Sequence, residues 1–512
     1  MNRKTGVIMS GILMVFEMLS TLLYTPYLIR TLGQSEYGIY TLVLSVTLYL
    51  TLLDLGVGNS IVRYVSKYRA LGNNEEQKRF LGVATVYYAI IAIVVLVVGG
   101  IIILFLPDIF AKGLTGDEIV RAKQLMVVTV LNASVTMGTS PYVHTLTAYE
   151  KFYISKGISI VQILVKLSVS FIVLYLGMGS LGVVTVTFVS NLLMRTVLIC
   201  YISFKMKLTP TYKNIEFKFV KQIASYSIWI LLQMIATQIN HMADHILIGM
   251  FAASSSVILG IYGVGAQINQ YFQSVSTAFT GVLMPGVVRL VETDGSTKAL
   301  QKEMERIGRI IFMVTGFIWS VFLVFGKQFV ALWAGQENSS AYIVAVLLMF
   351  PFVFIMPQSI GTQILWAKEK HKLQSILKFA IVILNVVLTI ILIKKWDALL
   401  GATIGTFISL MLGDVFVMQI VFKKDIGINL LSYYKNTYIK EILPCLLLSI
   451  IGGFAFRGLN LTGWLGFVVN CGIMVAIYGV TMLLYGMNDY EKNLLFKPFK
   501  KILKKFHIVK EV

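Results

Sequence analysis

The sequence predicts an all-α integral membrane protein of about fourteen transmembrane helices, built as two parallel six-helix repeats with two extra helices at the C-terminus. Three observations predict it: an apolar composition, apolar stretches of bilayer length set almost end to end, and a register shift that maps one part of the chain onto another. Of 512 residues, 57% are hydrophobic and only 13% charged, a balance that belongs to membrane proteins rather than to soluble domains. A bilayer core about 30 Å thick takes about 20 apolar residues per helix.

The spans read as 6–29, 37–62, 81–106, 124–147, 157–177, 181–204, 223–250, 257–288, 308–326, 341–366, 374–393, 399–422, 441–457 and 463–486. The first is too long for the apolar region of a signal peptide, contains Glu17 and lacks a small-residue cleavage site, so it is expected to be retained. An even number of spans puts both termini on one side. Most of the 44 basic residues lie on that same side, in alternate connections and both tails. The positive-inside rule then places both termini in the cytoplasm. The net charge of +20 is thereby accounted for by the membrane's own sidedness, without nucleic acid. The basic, amphipathic segment 491–512 suits an anionic headgroup surface or a simple anchor for the last helix.

A shift of 219 residues aligns Ala148, Glu150 and Lys151 with Ala367, Glu369 and Lys370. Without a gap it also aligns Leu181, Gly182, Thr187, Phe188 and Ser190 with Leu400, Gly401, Thr406, Phe407 and Ser409. With small gaps, Tyr37-Gly38-Ile39-Tyr40 matches Leu259-Gly260-Ile261-Tyr262. The repeat unit is six helices, an even number, so the copies share an orientation and are related by an axis along the membrane normal. The expected organisation is an N-lobe at 1–205, a cytoplasmic linker at 206–222, a C-lobe at 223–424, an appended helix pair at 425–490 and the tail at 491–512.

Charges inside spans are costly and so face the bundle, pair, snorkel or work. Asp54 shares a helical face with Thr47, Thr51 and Gly58, Glu17 lies mid-span in the first helix, and Asp244 closes a stripe of Gln233, Thr237, Asn240 and His241. Gln267, Gln270, Ser274 and Thr277 form a similar stripe in the next span. These are the first two helices of each lobe, and a shared water-filled cavity explains their polar faces; interhelical hydrogen bonding is the plainer reading. Lys166 and Arg195 sit inside spans 5 and 6, and Arg195 corresponds under the repeat to Asp414. These three are candidates for ion pairs that stabilise one lobe arrangement, or for local pairing and snorkelling. Arg63 and Arg289 stand at equivalent cytoplasmic span ends, either as topological anchors or as bidentate partners for a diphosphate.

Cys200, Cys445 and Cys471 each lie alone within a span, with no disulfide or zinc spacing. His144 and His241 are too scattered for a metal site, no phosphate-binding Gly-rich loop occurs, and no soluble segment is long enough for a catalytic domain. The chain is therefore expected to be neither an ATPase nor another enzyme, and to carry no metal or cofactor.

The segments Leu32-Gly33, Glu36-Tyr37-Gly38-Ile39-Tyr40, Leu53-Asp54-Leu55-Gly56 and Arg63-Tyr64-Val65-Ser66 resemble the start of Wzx-type polysaccharide flippases. Asp244, Ile248-Gly249 and Gly260-Ile261-Tyr262 resemble the opening of that family's second lobe. The family is a polysaccharide biosynthesis branch of the multidrug/oligosaccharidyl-lipid/polysaccharide exporter superfamily. The resemblance implies movement of an undecaprenyl-diphosphate-linked oligosaccharide repeat unit across the cytoplasmic membrane by alternating access, coupled to a proton or sodium gradient. On that footing Glu17, Asp54 and Asp244 are ion-coupling candidates and Arg63 and Arg289 diphosphate-binding candidates. Asn240, His241, Gln267 and Gln270 are sugar-binding candidates. Membrane lipids, a polysaccharide polymerase and other assembly proteins are expected partners. A multidrug cation antiporter of the same superfamily and a non-transporting scaffold for polysaccharide assembly are the alternatives.

Overall fold

The computed structural model describes residues 3–54, 57–212, 238, 242–252, 255–368, 370–455 and 463–493. Every regular element among them is helical. The helices are α1 (Arg3–Leu50), α2 (Val57–Ala70), α3 (Asn74–Phe110), α4 (Gly116–Gly138), α5 (Ser140–Ala148), α6 (Phe152–Tyr175) and α7 (Gly179–Cys200). They continue as α8 (Met242–Phe251), α9 (Ser255–Thr293), α10 (Thr297–Ala334), α11 (Ala341–Ala367), α12 (His371–Lys395) and α13 (Ala398–Leu410). The last are α14 (Met418–Val421), α15 (Leu430–Tyr434), α16 (Lys440–Ala455) and α17 (Gly463–Thr481). Among the described residues, nine helices are long and apolar enough to cross a membrane, and α8 is a shorter apolar helix.

The first two expected spans join in one helix. α1 contains both the first span and most of the second, with the expected break reduced to Gly33 at φ 73°, a left-handed conformation that only glycine adopts without strain. At the other end of that pair, a 3₁₀ turn over Thr51–Asp54 precedes α2.

The chain divides into two compact units, Met1–Gly265 with Ser375–Ser409, and Ala266–Gln374 with Leu410–Val512. The divisions fall within α9, near the start of α12 and at the end of α13 rather than between the sequence repeats. In the first unit, Val57, Ile61 and Val65 of α2, spaced one turn apart, pack on Phe80, Ala84 and Tyr88 of α3. Buried Gln77 ties this core together, donating to the Val65 carbonyl at 3.2 Å and accepting from the Tyr149 hydroxyl at 3.0 Å.

In the second unit, Met313 and Phe325 of α10 pack on Cys445, Leu448, Met474 and Tyr478, so the appended helices α16 and α17 share its core. A buried arginine fastens them. Arg309 Nε donates to Glu491 Oε1 at 2.7 Å, Nη2 lies 2.6 Å from Glu441 Oε1, and the same guanidinium caps the carbonyls of Asn436 and Gly486.

Candidate functional site

Lipid gives helices little hydrophobic reason to associate, so close packing through small residues does much of that work. Gly401 and Gly405, four residues apart on α13, supply it against α12: a Cβ on Gly405 would lie 2.6 Å from Thr389 Oγ1, and one on Gly401 2.7 Å from the Ile393 amide. The approach brings Thr406 beside Asn385 and Thr389, which are one turn apart on α12. Asp244 enters this cluster from α8 and Tyr262 from α9.

The result is an oxygen cage. Asp244 is 2% exposed. Its Oδ2 accepts from the Tyr262 hydroxyl at 2.5 Å and from Thr406 Oγ1 at 2.6 Å, while Oδ1 faces Thr389 Oγ1 at 3.4 Å. Asn385 Oδ1 lies 3.1 Å from both threonine hydroxyls. Each hydroxyl has one proton, so Thr389 and Thr406 cannot donate to Asp244 and to Asn385 together. At any moment the cage holds oxygen lone pairs without a proton on them, around a carboxylate that no basic side chain among the described residues pairs. His245, next in sequence, is buried edge-on to the Tyr262 ring with Nδ1 unpartnered.

A second polar cluster fills the interior of the first unit. The Tyr88 hydroxyl donates to Asp54 Oδ1. His144 lies within electrostatic reach of both Asp54 and Arg195. Arg195 Nε donates to Asn191 Oδ1 at 3.2 Å, and the Asn191 amide donates on to Asn132 Oδ1 and Thr136 Oγ1, each at 2.8 Å.

A third lies where α1, α4, α7 and α9 begin or bend. Glu36 accepts from Arg121 at 2.7 Å and from the Ser180 amide and hydroxyl at 2.7 and 2.6 Å. Glu118 closes a capping box with Thr115 and accepts from Ser35 at 2.6 Å. Burial opposes ionisation of Glu118, but hydrogen bonds from Ser256, Ser35 and Thr115 hold its carboxyl below the ordinary 4.5.

The candidates from sequence thus separate. Asp54 and Arg195 fall in the second cluster, and Asp244 heads the cage. Glu17 is exposed, with Thr21 hydrogen-bonded to its carbonyl and no ion pair to its carboxylate among the described residues. Lys166 is half-buried and likewise outside any ion pair there, and Asp414 is buried in a π-helical turn over Met411–Val417. Arg63 is exposed beside the Tyr64 ring. The pair of Gln267 and Gln270 is mutual, 3.4 Å apart, rather than convergent on a third group. Arg289 lies on α9, its side chain outside the described residues, as are Asn240 and His241. Sequence reasoning passed over Tyr262, Asn385, Thr389 and Thr406. Of these four, only Tyr262 and Thr406 were touched at all, through the repeat matches to Tyr40 and Thr187 and the family resemblance at Tyr262.

The Asp244 carboxylate of α8 is thus enclosed by oxygens from three other helices, and the fold that holds it resembles solved flippase and transporter structures. Over 96% of this chain and 99% of the other, the fold resembles lipid II flippase MurJ in an inward closed conformation, with a TM-score of 0.69 at 15% identity. It also resembles an inward-facing multidrug resistance MATE family transporter of the MOP superfamily, with a TM-score of 0.63 at 15% identity over 79% and 96% of the two chains. The chain belongs to the polysaccharide biosynthesis protein family, whose model matches residues 3–291. Among curated proteins it is 19% identical to the uncharacterized membrane protein EpsK of Bacillus subtilis (strain 168), over 93% of this chain and 94% of that one. The two solved structures are named as a flippase and a transporter.

Proposed function

We infer that this protein is a flippase for an undecaprenyl-diphosphate-linked oligosaccharide repeat unit, working by alternating access in the cytoplasmic membrane and coupled to a cation gradient. The observation that carries the coupling is the Asp244 cage: a buried carboxylate, an amide oxygen and three hydroxyls with no basic partner among the described residues. An all-oxygen set of this kind suits a hard monovalent cation such as sodium, and a proton on Asp244 is the simpler alternative. Either relieves the desolvation cost of a buried charge. Because its ligands come from α8, α9, α12 and α13, occupancy favours the arrangement in which those helices converge. Differential affinity is all that a population shift requires.

Support for the cargo comes from the family's polysaccharide context and from the likeness to a lipid II flippase. Arg63 and Arg289 would meet the diphosphate at the cytoplasmic mouth, with Asn240, His241, Gln267 and Gln270 hydrogen-bonding sugar hydroxyls. The test is leaflet accessibility of labelled undecaprenyl-diphosphate oligosaccharide in proteoliposomes under imposed sodium or proton gradients. Gradient-dependent exposure in the wild type, lost in Asp244→Asn, is expected. Efflux of cationic dyes without any lipid exposure would replace this reading with a multidrug antiporter, the reading that the MATE likeness favours.

A further inference from the structure

The register that aligns the repeats can be applied to the cage itself. Subtracting 219 places Lys166 at the position of Asn385, Ser170 at Thr389 and Thr187 at Thr406. The aligned Tyr40 stands for Tyr262. For Asp244 the same subtraction gives Thr25, but contacts assign the place to its neighbour Tyr24, which lies beside Ser170 as Asp244 does beside Thr389, and near Tyr40 as Asp244 is near Tyr262. The first repeat has therefore kept the scaffold of the cage and reversed its charge. A phenol replaces the carboxylate, and an ammonium replaces the amide oxygen.

The chemistry left there is that of a donor set. Ser170 is fully buried and Tyr24 is 8% exposed, and neither hydroxyl has a hydrogen-bond partner of good geometry. Lys166 is one turn from Ser170 on the same face of α6, half-buried, and unpaired by any carboxylate among the described residues. Glu17, two turns before Tyr24 on α1, is exposed and makes no ion pair among those residues. Thr187 has turned away, donating to the Val183 carbonyl of its own helix at 2.9 Å. A mid-span ammonium is costly unless it serves a counter-charge, and unpartnered buried hydroxyls carry their own cost.

We propose that Lys166, Tyr24 and Ser170 form an anion-binding site in the first repeat that takes a phosphate-type oxyanion, the diphosphate of the carrier lipid. The identity of the lipid rests on the flippase reading; the anion site does not. A diphosphate crossing the apolar core needs positive charge at depth, and Lys166 sits well inside its 24-residue helix. The two repeats then divide the work, one holding a cation in a carboxylate cage and the other an anion in its donor-lined counterpart.

The test is equilibrium binding to the purified full-length protein in nanodiscs, with undecaprenyl diphosphate, neutral undecaprenol and inorganic pyrophosphate as probes. The wild type is expected to prefer undecaprenyl diphosphate over undecaprenol by about tenfold or more. Lys166→Met should abolish that preference, Lys166→Arg should keep most of it, and Tyr24→Phe or Ser170→Ala should each weaken it by about threefold to tenfold. A cooperative thermal unfolding transition retained in each variant shows that the protein is folded. Pyrophosphate competing as well as the lipid, again through Lys166, would assign the site to free oxyanions. Equal binding by Lys166→Met and wild type, or no preference for either anion in the wild type, overturns the proposal whatever the leaflet assay returns.

Discussion

Gly38 and Gly260, equivalent positions in the two repeats, lie against each other through reciprocal backbone contacts. A Cβ on Gly38 would strike the carbonyl of Ser256, and one on Gly260 would strike the carbonyl of Gln34. Gln34 is four residues before Gly38 and Ser256 four before Gly260, so the crossing of α1 and α9 has the self-complementary form of a two-fold contact.

Replacing either glycine by alanine should therefore force the crossing apart, because a backbone carbonyl cannot rotate away as a side chain can. Overpacking of this kind costs about 1–3 kcal/mol. The expected outcome for Gly38→Ala or Gly260→Ala is a protein that still inserts but whose cysteine reporters at Ser35 or Ser256 become more reactive to a membrane-impermeant thiol reagent. Unchanged reactivity in both would mean that the crossing has room to yield.

Beside that crossing, Glu36 and Glu118 gather Arg121, Ser180, Ser35 and Ser256. Glu118 has a folded value below its ordinary 4.5, so it adds stability that is complete above that value and is lost as the pH falls through the lower one. The thermal midpoint of the purified protein should fall on acidification below about 4.5, and Glu118→Gln should remove its share of the pH dependence. Arg121→Met leaves Glu36 with Ser180 alone and should lower that midpoint at neutral pH. A flat profile in the wild type would deny the cluster any role in holding these segments together.

The helical architecture was legible because period and length announce it: stretches of apolar residues of bilayer length have few other uses. The repeat was legible too, and with it the equivalence of Gly38 and Gly260. Asp54 and Asp244 stood out because a carboxylate in an apolar run is rare. The partners of Asp244 did not. Asn385, Thr389 and Thr406 are neutral residues of a kind common in membrane helices, and what gives them a role is the close approach allowed by Gly401 and Gly405, a relation between helices that periodicity along one helix does not contain. Nothing along the sequence singles out Arg309, because its partners Glu441 and Glu491 lie more than a hundred residues away.

Arg309 offers a direct test of how the appended helices are held. One guanidinium faces two carboxylates that are 0% and 2% exposed, and removing the single cation strands both. Breaking a buried pair in this way costs about 3–5 kcal/mol. Arg309→Met should lower the thermal midpoint of the purified protein markedly, and Glu441→Gln with Glu491→Gln in the same chain should recover much of the loss. If the triple variant is no more stable than the single one, the arginine acts through its carbonyl contacts rather than through charge.

The Asp244 cage makes the sharpest demand, since its residues differ in what each supplies. Asp244→Asn keeps the shape and removes the charge, so sodium-dependent stabilisation and gradient-driven lipid exposure should both vanish while protein levels hold. Thr406→Val removes one short contact, the 2.6 Å approach to Oδ2, and leaves the carboxylate; cation affinity should fall by about threefold to tenfold, the net worth of one hydrogen-bonding group. Tyr262→Phe should behave similarly. Asn385→Leu removes one oxygen from the cage and frees both threonine protons for Asp244, which stabilises the ionised carboxylate against protonation. Sodium dependence and proton dependence should then both weaken. Cation responses unchanged by all four substitutions would place the coupling ion elsewhere in the molecule, with Asp54 and its partner Tyr88 next in line.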